Sequence, residues 1–216
     1  MPTPQADSKN DIVNLSLDLL GQSDRVSSID TPTSQTERIA QRWYDITLLG
    51  ILEMYDWNFA IKRAVIPRLL DDPNFGEEKA YQLPSDFISF VSIGQSHEYV
   101  KEHKIEGNII YFRADNYSNP IYRASTNYNA LNDDSEALLL RYVSKVEDVS
   151  KYSPLFIWAF SHALASNMCF SITNSRSSAD ELMRKAVGLV KQAAQSDAKN
   201  SPVKVINRFS TYLGRQ

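Results

Sequence analysis

Residues 153–173 read SPLFIWAFSHALASNMCFSIT, and this stretch decides the fold. Ile157, Phe160, Leu164, Met168 and Ile172 recur at helical spacing. Leu155, Trp158, Ala159, Ala163, Ala165 and Cys169 make most of the remaining surface apolar too. Pro154 suits a first helical turn, where its missing amide costs no hydrogen bond. A helix that is apolar nearly all round belongs at the centre of a bundle or under a sheet. The segments on either side should therefore supply what covers it.

On the C-terminal side, Thr173–Ser177 reads as a turn, and Ser178-Ala179-Asp180-Glu181 carries the spacing of a capping box. Leu182, Ala186, Leu189, Val190 and Ala193 then make a narrower stripe, with Arg184, Lys185, Lys191 and Gln192 turned outward. This helix is predicted to end near Ala198. Residues 199–216 hold Pro202, alternating Val203 and Val205, and later Phe209, Tyr212 and Leu213. These are apolar anchors on a segment too short to bury them by itself.

Two more helices precede. Ile12, Leu15, Leu19 and Leu20 share a helical face, and Gly21 stands where a helix C-terminal glycine belongs. Residues 22–33 are a turn-rich connection. Ser34-Gln35-Thr36-Glu37 is a second capping box. The helix it opens is predicted to reach about Tyr55 and to bury Ile39, Trp43, Ile46, Gly50 and Met54 along one stripe, with Leu49 and Leu52 alongside. Residues 1–9 are polar and read as a flexible arm.

Between the helical pairs the period falls toward two. Trp57, Phe59 and Ile61 alternate with Asn58, Ala60 and Lys62, which predicts a strand. Residues 66–80 contain Pro67, Asp71-Asp72-Pro73 and Gly76 and read as a loop. Further strands are predicted at 87–93, 97–105, 108–114 and 137–143, with a tight hairpin at Ile105-Glu106-Gly107-Asn108-Ile109. The expected architecture is α+β: a four-helix bundle (10–56 and 153–198) with a β-rich insertion (57–152) between helices 2 and 3 and an extended C-terminal tail (199–216).

Composition narrows the function. The chain has 216 residues, 43% hydrophobic and 23% charged, so it can bury a core. The net charge of −3 excludes an overall basic field drawing it to nucleic acid or to an anionic membrane. A single cysteine excludes a disulfide framework and a multi-cysteine zinc site. No apolar run reaches 18 residues and the N-terminus lacks a secretory pattern, so no membrane span is expected, and assembly in a cytoplasm is. Charge is unevenly spread: residues 1–56 carry 4 basic and 9 acidic groups, residues 182–216 carry 7 basic and 1 acidic. Such asymmetry suits ordered contacts between subunits or with a partner; a solvated helix face and a charged tail would also produce it.

Motifs for chemistry are sparse. No phosphate-cradling glycine loop, nucleophile elbow or paired-histidine zinc motif occurs. His97 and His103 are six apart, and His162 lies two helical turns before Cys169, about 10 Å along the axis and beyond hydrogen-bond reach. A core histidine and an inert buried cysteine are the expectation, with no cofactor and no metal. Glu98, Glu102 and Glu106, and Asp133, Asp134 and Glu136, are carboxylate clusters that a glycan hydrolase could use across a cleft. Tyr111, Arg113, Tyr117, Tyr122, Arg123 and Tyr128 interleave aromatic and guanidinium groups in the β region. That pattern fits stacking on nucleic acid and, better, contacts between proteins; strand packing is the plain alternative.

Several segments in order resemble the head-to-tail adaptor family of short-tailed bacteriophages, also called tail tubular protein A. They are Asn14–Gly21 followed by Ser28-Ile29-Asp30 and a second helix, Tyr55-Asp56-Trp57-Asn58-Phe59-Ala60-Ile61-Lys62-Arg63, and Ala80-Tyr81-Gln82-Leu83-Pro84-Ser85-Asp86. Ile105–Ile110, Leu140-Arg141-Tyr142-Val143, Asp148–Phe156 and Ala159–Thr173 follow, so order and spacing are similar over about residues 11–198. The resemblance implies a structural protein of the virion, at the junction of head and tail, and not an enzyme. It implies a twelve-subunit ring between the portal protein and the tail nozzle protein, through which double-stranded DNA passes without specific binding. It also implies that the C-terminal segment grips the portal, which makes Lys204, Arg208, Phe209, Tyr212, Leu213 and Arg215 the expected portal contacts. The β-region tyrosines and arginines become the expected subunit or nozzle contacts. The competing expectation is a peptidoglycan-degrading tail enzyme acting through a carboxylate pair.

Overall fold

The computed structural model describes residues 8–70, 79–93, 103–112, 121–123 and 136–200. The chain divides into two compact units, Met1–Phe59 with Val146–Gln216, and Ala60–Lys145.

The first unit holds four helices: α1 (Lys9–Leu19), α2 (Gln35–Met54), α3 (Pro154–Thr173) and α4 (Arg176–Ala198). A serine caps each one. Ser8 and Ser34 form reciprocal capping boxes with Asp11 and Glu37, and Ser153 accepts the Phe156 amide ahead of Pro154. The box expected at Ser178 is not used. Asn174 adopts a left-handed conformation (φ 55°), which ends α3 abruptly. Ser175 follows in an extended conformation and caps α4 three residues earlier than expected, accepting the Ser178 amide.

The four-helix bundle with a β insertion is not what forms. In a bundle four helices share one core; here α1, α2 and α4 each pack chiefly on α3. The helices come as two pairs, one before and one after all seven strands. The reason lies in α3, which is buried from Phe156 to Cys169 at all but Trp158 and Asn167 and so offers a seat on several sides. On one side Tyr44 of α2 meets Phe160 edge-on at 5.1 Å, and Asn167 donates to the Thr47 hydroxyl at 2.8 Å. On the other, Ala165 and Cys169 cluster with Leu182 of α4, and Ser166 donates to the Ala179 carbonyl. By length and composition α3 could cross a membrane; in this fold it is mostly buried in protein.

The alternation predicted as a strand from Trp57 is also corrected. Asn58–Ala60 is a 3-10 turn and the strand begins at Ile61. Asn58 holds the turn: its amide donates to the Asp197 carboxylate and its side chain to the Asp197 carbonyl, both at 2.8 Å. Trp57 is fully buried, its ring 4.9 Å from Phe156 and its indole N–H donating to the Ile51 carbonyl at 3.0 Å.

The second unit has two antiparallel sheets rather than one block. In the first, β7 (Glu136–Ser144) pairs with β1 (Ile61–Pro67) along one edge, and with β3 (Phe87–Ile93) and β6 (Ile121–Arg123) along the other. In the second, β5 (Ile109–Phe112) lies between β2 (Lys79–Gln82) and β4 (His103–Glu106). β2 begins in the last two residues of the segment read as a loop (66–80), and β6 lies between segments read as strands. The hairpin between β4 and β5 turns on Gly107 (φ 62°) and Asn108, as a type II′ turn requires. The sheets share a core of Ile66, Ile93, Leu138, Leu140 and Tyr142 from one and Tyr81 and Ile110 from the other.

Candidate interaction surfaces

The sequence-predicted portal contacts Lys204, Arg208, Phe209, Tyr212, Leu213 and Arg215 lie outside the described residues, as do Arg113, Tyr117 and Tyr128. Tyr111 sits half-buried on β5 opposite Ala80 and Lys104, and Tyr122 and Arg123 fall on β6, so the first sheet holds two of the predicted contacts and the second sheet one. Of the carboxylate clusters, Glu106 is exposed at the end of β4 and Glu136 begins β7; Glu98, Glu102, Asp133 and Asp134 lie outside the described residues.

The largest departure from the sequence reading is on α2. Its buried arc is Ala40, Tyr44, Thr47, Leu48, Ile51 and Leu52. Ile39 is buried as expected, but Ile46 is 60% exposed, and Leu49 and Met54 are exposed as well. α2 therefore carries two apolar arcs, and α3 covers one. Gly50 lies on the open arc, where a Cβ would meet nothing within 4 Å. The same is seen more locally elsewhere. Trp158 at the start of α3 is 50% exposed with its ring 5.0 Å from His162, and Phe170 at its end is 48% exposed beneath the Arg176 guanidinium. On α4, Met183 and Val187 are exposed one turn apart.

Two polar clusters were only partly legible. Glu37 is 3% exposed, and its carboxylate does more than cap α2. One oxygen accepts from the amide and hydroxyl of Ser27, the other from the amide and hydroxyl of Thr33 and the amide of Ser34. These bonds, chiefly those from the Ser34, Thr33 and Ser27 amides, hold its carboxyl far below the ordinary range. Glu37 thus fastens the 22–33 connection to α2. In the second unit, Asp86 accepts from Lys62 and from the Tyr142 hydroxyl at 2.9 Å. Burial works to raise Asp86, and the hydrogen bonds from Lys62 and Tyr142 outweigh it, so its carboxyl is held low. Burial, then the bond to Asp86, pushes Tyr142 up to about 12. Near neutral pH the acid is ionised and the phenol protonated, which suits a cross-strand staple better than proton transfer.

An open groove of about 600 Å³ lies beside the Gly107 turn, lined by Gln82, Leu83, Pro84, Ser85, Phe87 and Asn108, none of them charged. His162 and Cys169 have separate partners: the His162 Nδ1 lies 2.9 Å from the Trp158 carbonyl, and the Cys169 thiol donates to the Ser175 carbonyl at 3.4 Å. What the described surface offers most plainly is apolar area on helices, the material of protein contacts. No protein-family model matches the chain, and no curated protein matches it.

Proposed function

We propose that this protein is a structural adaptor of a phage tail, a ring subunit that joins the portal of the head to the tail nozzle and lets DNA pass. The observation that carries the reading is the apolar area left open on the helices, most of all at Ile46 of α2 and at Trp158 and Phe170 of α3, with Val187 of α4. A lone subunit gains nothing from exposing it; a subunit of an assembly removes it from water on docking, at about 25 cal/mol per Å². The ordered resemblance over residues 11–198 supports the adaptor class in particular. The C-terminal residues 199–216, with three large apolar anchors among basic residues, are suited to folding onto a partner.

The test is native mass spectrometry and electron microscopy of the full chain with the portal protein encoded by the same genome. A ring capping the portal is expected. A chain that stays apart from the portal overturns the reading. Truncation after Asn200 is expected to leave the fold intact and weaken portal capture. Turbidity loss of purified cell walls, abolished by a carboxylate substitution, would instead point to the peptidoglycan-degrading enzyme.

A further inference from the structure

The outer face of the first sheet, opposite the face that buries Leu138, Leu140 and Tyr142, carries a polar row across three strands. Arg63 of β1 is paired with Arg141 of β7, and Arg141 in turn with Ser92 of β3. Residues directly opposite in an antiparallel ladder share a face, with their Cβ atoms about 5 Å apart. The other positions that β1, β7 and β3 place on this face are Ile61, Val65 and Pro67, Ala137, Leu139 and Val143, and Ser89. Among the described residues of these three strands, the two guanidinium groups are therefore its only charges. Lys62 lies on the opposite face, engaged by Asp86. Two arginines set opposite each other repel and weaken a ladder; an anion held between them turns that repulsion into binding.

The serine reaches the row through a break in strand register. Counted regularly from Phe90, which is opposite Tyr142, Val91 would face Arg141; the irregularity leaves Val91 out and brings Ser92 there. The earlier irregularity acts alike. Counted from Phe87, opposite Ser144, Ile88 would face Val143, and Ser89 stands there instead. Each shift exchanges an apolar side chain for a hydroxyl on the outer face, and bulges that re-aim a side chain are over-represented beside functional sites. Ser92 and Ser89 are 4% and 8% exposed, and neither hydroxyl has a hydrogen-bond partner among the described residues. A buried hydroxyl without a partner is destabilising, and a bound oxygen would satisfy it. Exposure falls along the row, from exposed Arg63 through half-buried Arg141 to buried Ser92. A ligand entering along β1 thus ends in a partly dry seat, where charge-assisted hydrogen bonds are strong.

We infer that this row is a phosphate site, in which the Arg63 and Arg141 guanidinium groups hold the anion from two sides and the Ser92 hydroxyl donates to a third oxygen. A carboxylate offers two oxygens in one plane and is filled by a single guanidinium fork; a phosphate offers oxygens around a tetrahedron and takes donors from several directions. The phosphate belongs either to a nucleic-acid backbone or to a small phosphoester. The site stands on the sheet alone and does not depend on the adaptor reading.

The test compares the full wild-type chain with Arg63→Gln, Ser92→Ala and, as a control for charge alone, Arg42→Gln at an exposed position of α2. Binding of inorganic phosphate is read by calorimetry, and unfolding temperature is followed in phosphate and in chloride at equal ionic strength. Phosphate is expected to raise the wild-type unfolding temperature above its value in chloride, as a ligand of the folded state does. Arg63→Gln should weaken phosphate binding about tenfold or more, and Ser92→Ala about threefold or more. Because Ser92→Ala removes an unpaired hydroxyl, its stability in chloride should not fall, which separates a lost ligand contact from a damaged sheet. A wild type that binds no phosphate overturns the inference, and so does equal weakening by Arg42→Gln and Arg63→Gln. Acetate bound as tightly as phosphate overturns the choice of ligand. A short DNA duplex distinguishes the source. Duplex affinity lost in Arg63→Gln, with a salt dependence shallower by about one counterion, assigns a nucleic-acid backbone. Duplex binding unchanged by Arg63→Gln while phosphate binding weakens assigns a small phosphoester.

Discussion

Helices α2 and α3 are both 20 residues long and both rich in apolar side chains, yet the fold treats them differently. α3 is covered on nearly every side by its own subunit, while α2 is covered on one arc and bare on another that is also apolar. Hydrophobic periodicity reports how much of a helix resists water. It does not report whether the cover comes from the same chain.

The contrast can be broken first at the hub. Phe160 is fully buried between Tyr44 and Phe156. Phe160→Ala should cost about 3–5 kcal/mol of stability, read by denaturant unfolding, because it removes a large side chain and leaves a cavity. A cost near zero would mean that α3 is not the centre of its unit.

A second test concerns the base of α2. Glu37 has its carboxyl lowered from an ordinary value of 4.5, so the folded state favours its ionised form. That contribution is complete above about pH 4.5 and is lost as the pH falls below it toward the folded value. Stability measured from pH 6 to pH 3, a window of about three pH units around that titration, should therefore fall in the wild type, with a shallower fall in Glu37→Gln. Parallel slopes would mean that the five hydrogen bonds do not favour the charged form.

The outer arc of α2 should respond weakly and in the opposite sense. Gly50→Ala should stabilise the isolated subunit by about 0.5–1 kcal/mol, since the added methyl meets open space and glycine is a poor helix former. Destabilisation would show that the arc is covered within the subunit. Smallest of all, Ile46→Ser should shift unfolding by less than about 0.5 kcal/mol, as expected of an exposed position. A cost of several kcal/mol at Ile46 would erase the difference between the two helices.

The central place of α3 was legible because an all-round apolar helix has few stable positions in a small fold. The capping boxes at Ser34 and the hairpin at Gly107 were legible because both are local: a serine three residues before a carboxylate, and a glycine free to take positive φ. The open face of α2 was not. Tyr44, Leu48 and Ile51 make one helical stripe and Trp43, Ile46 and Gly50 another, and residue type alone does not rank them. The outcome depends on which stripe meets Phe160 and Asn167, residues more than 110 positions away. The Lys62–Asp86–Tyr142 staple was hidden for the same reason, since strand register brings its members together across three separate segments.

By itself, then, the sequence determined the number and order of the helices, the serine cap of α2, the burial of the 154–173 segment and the tight turn at Gly107, because each is set by contacts within a few residues along the chain. The tertiary structure decided that three helices would gather on one rather than four around a common core, that the strands would part into two sheets, and that an apolar arc of α2 would stay exposed. Those outcomes compare alternative long-range packings of equally apolar surfaces, and only the assembled geometry distinguishes them.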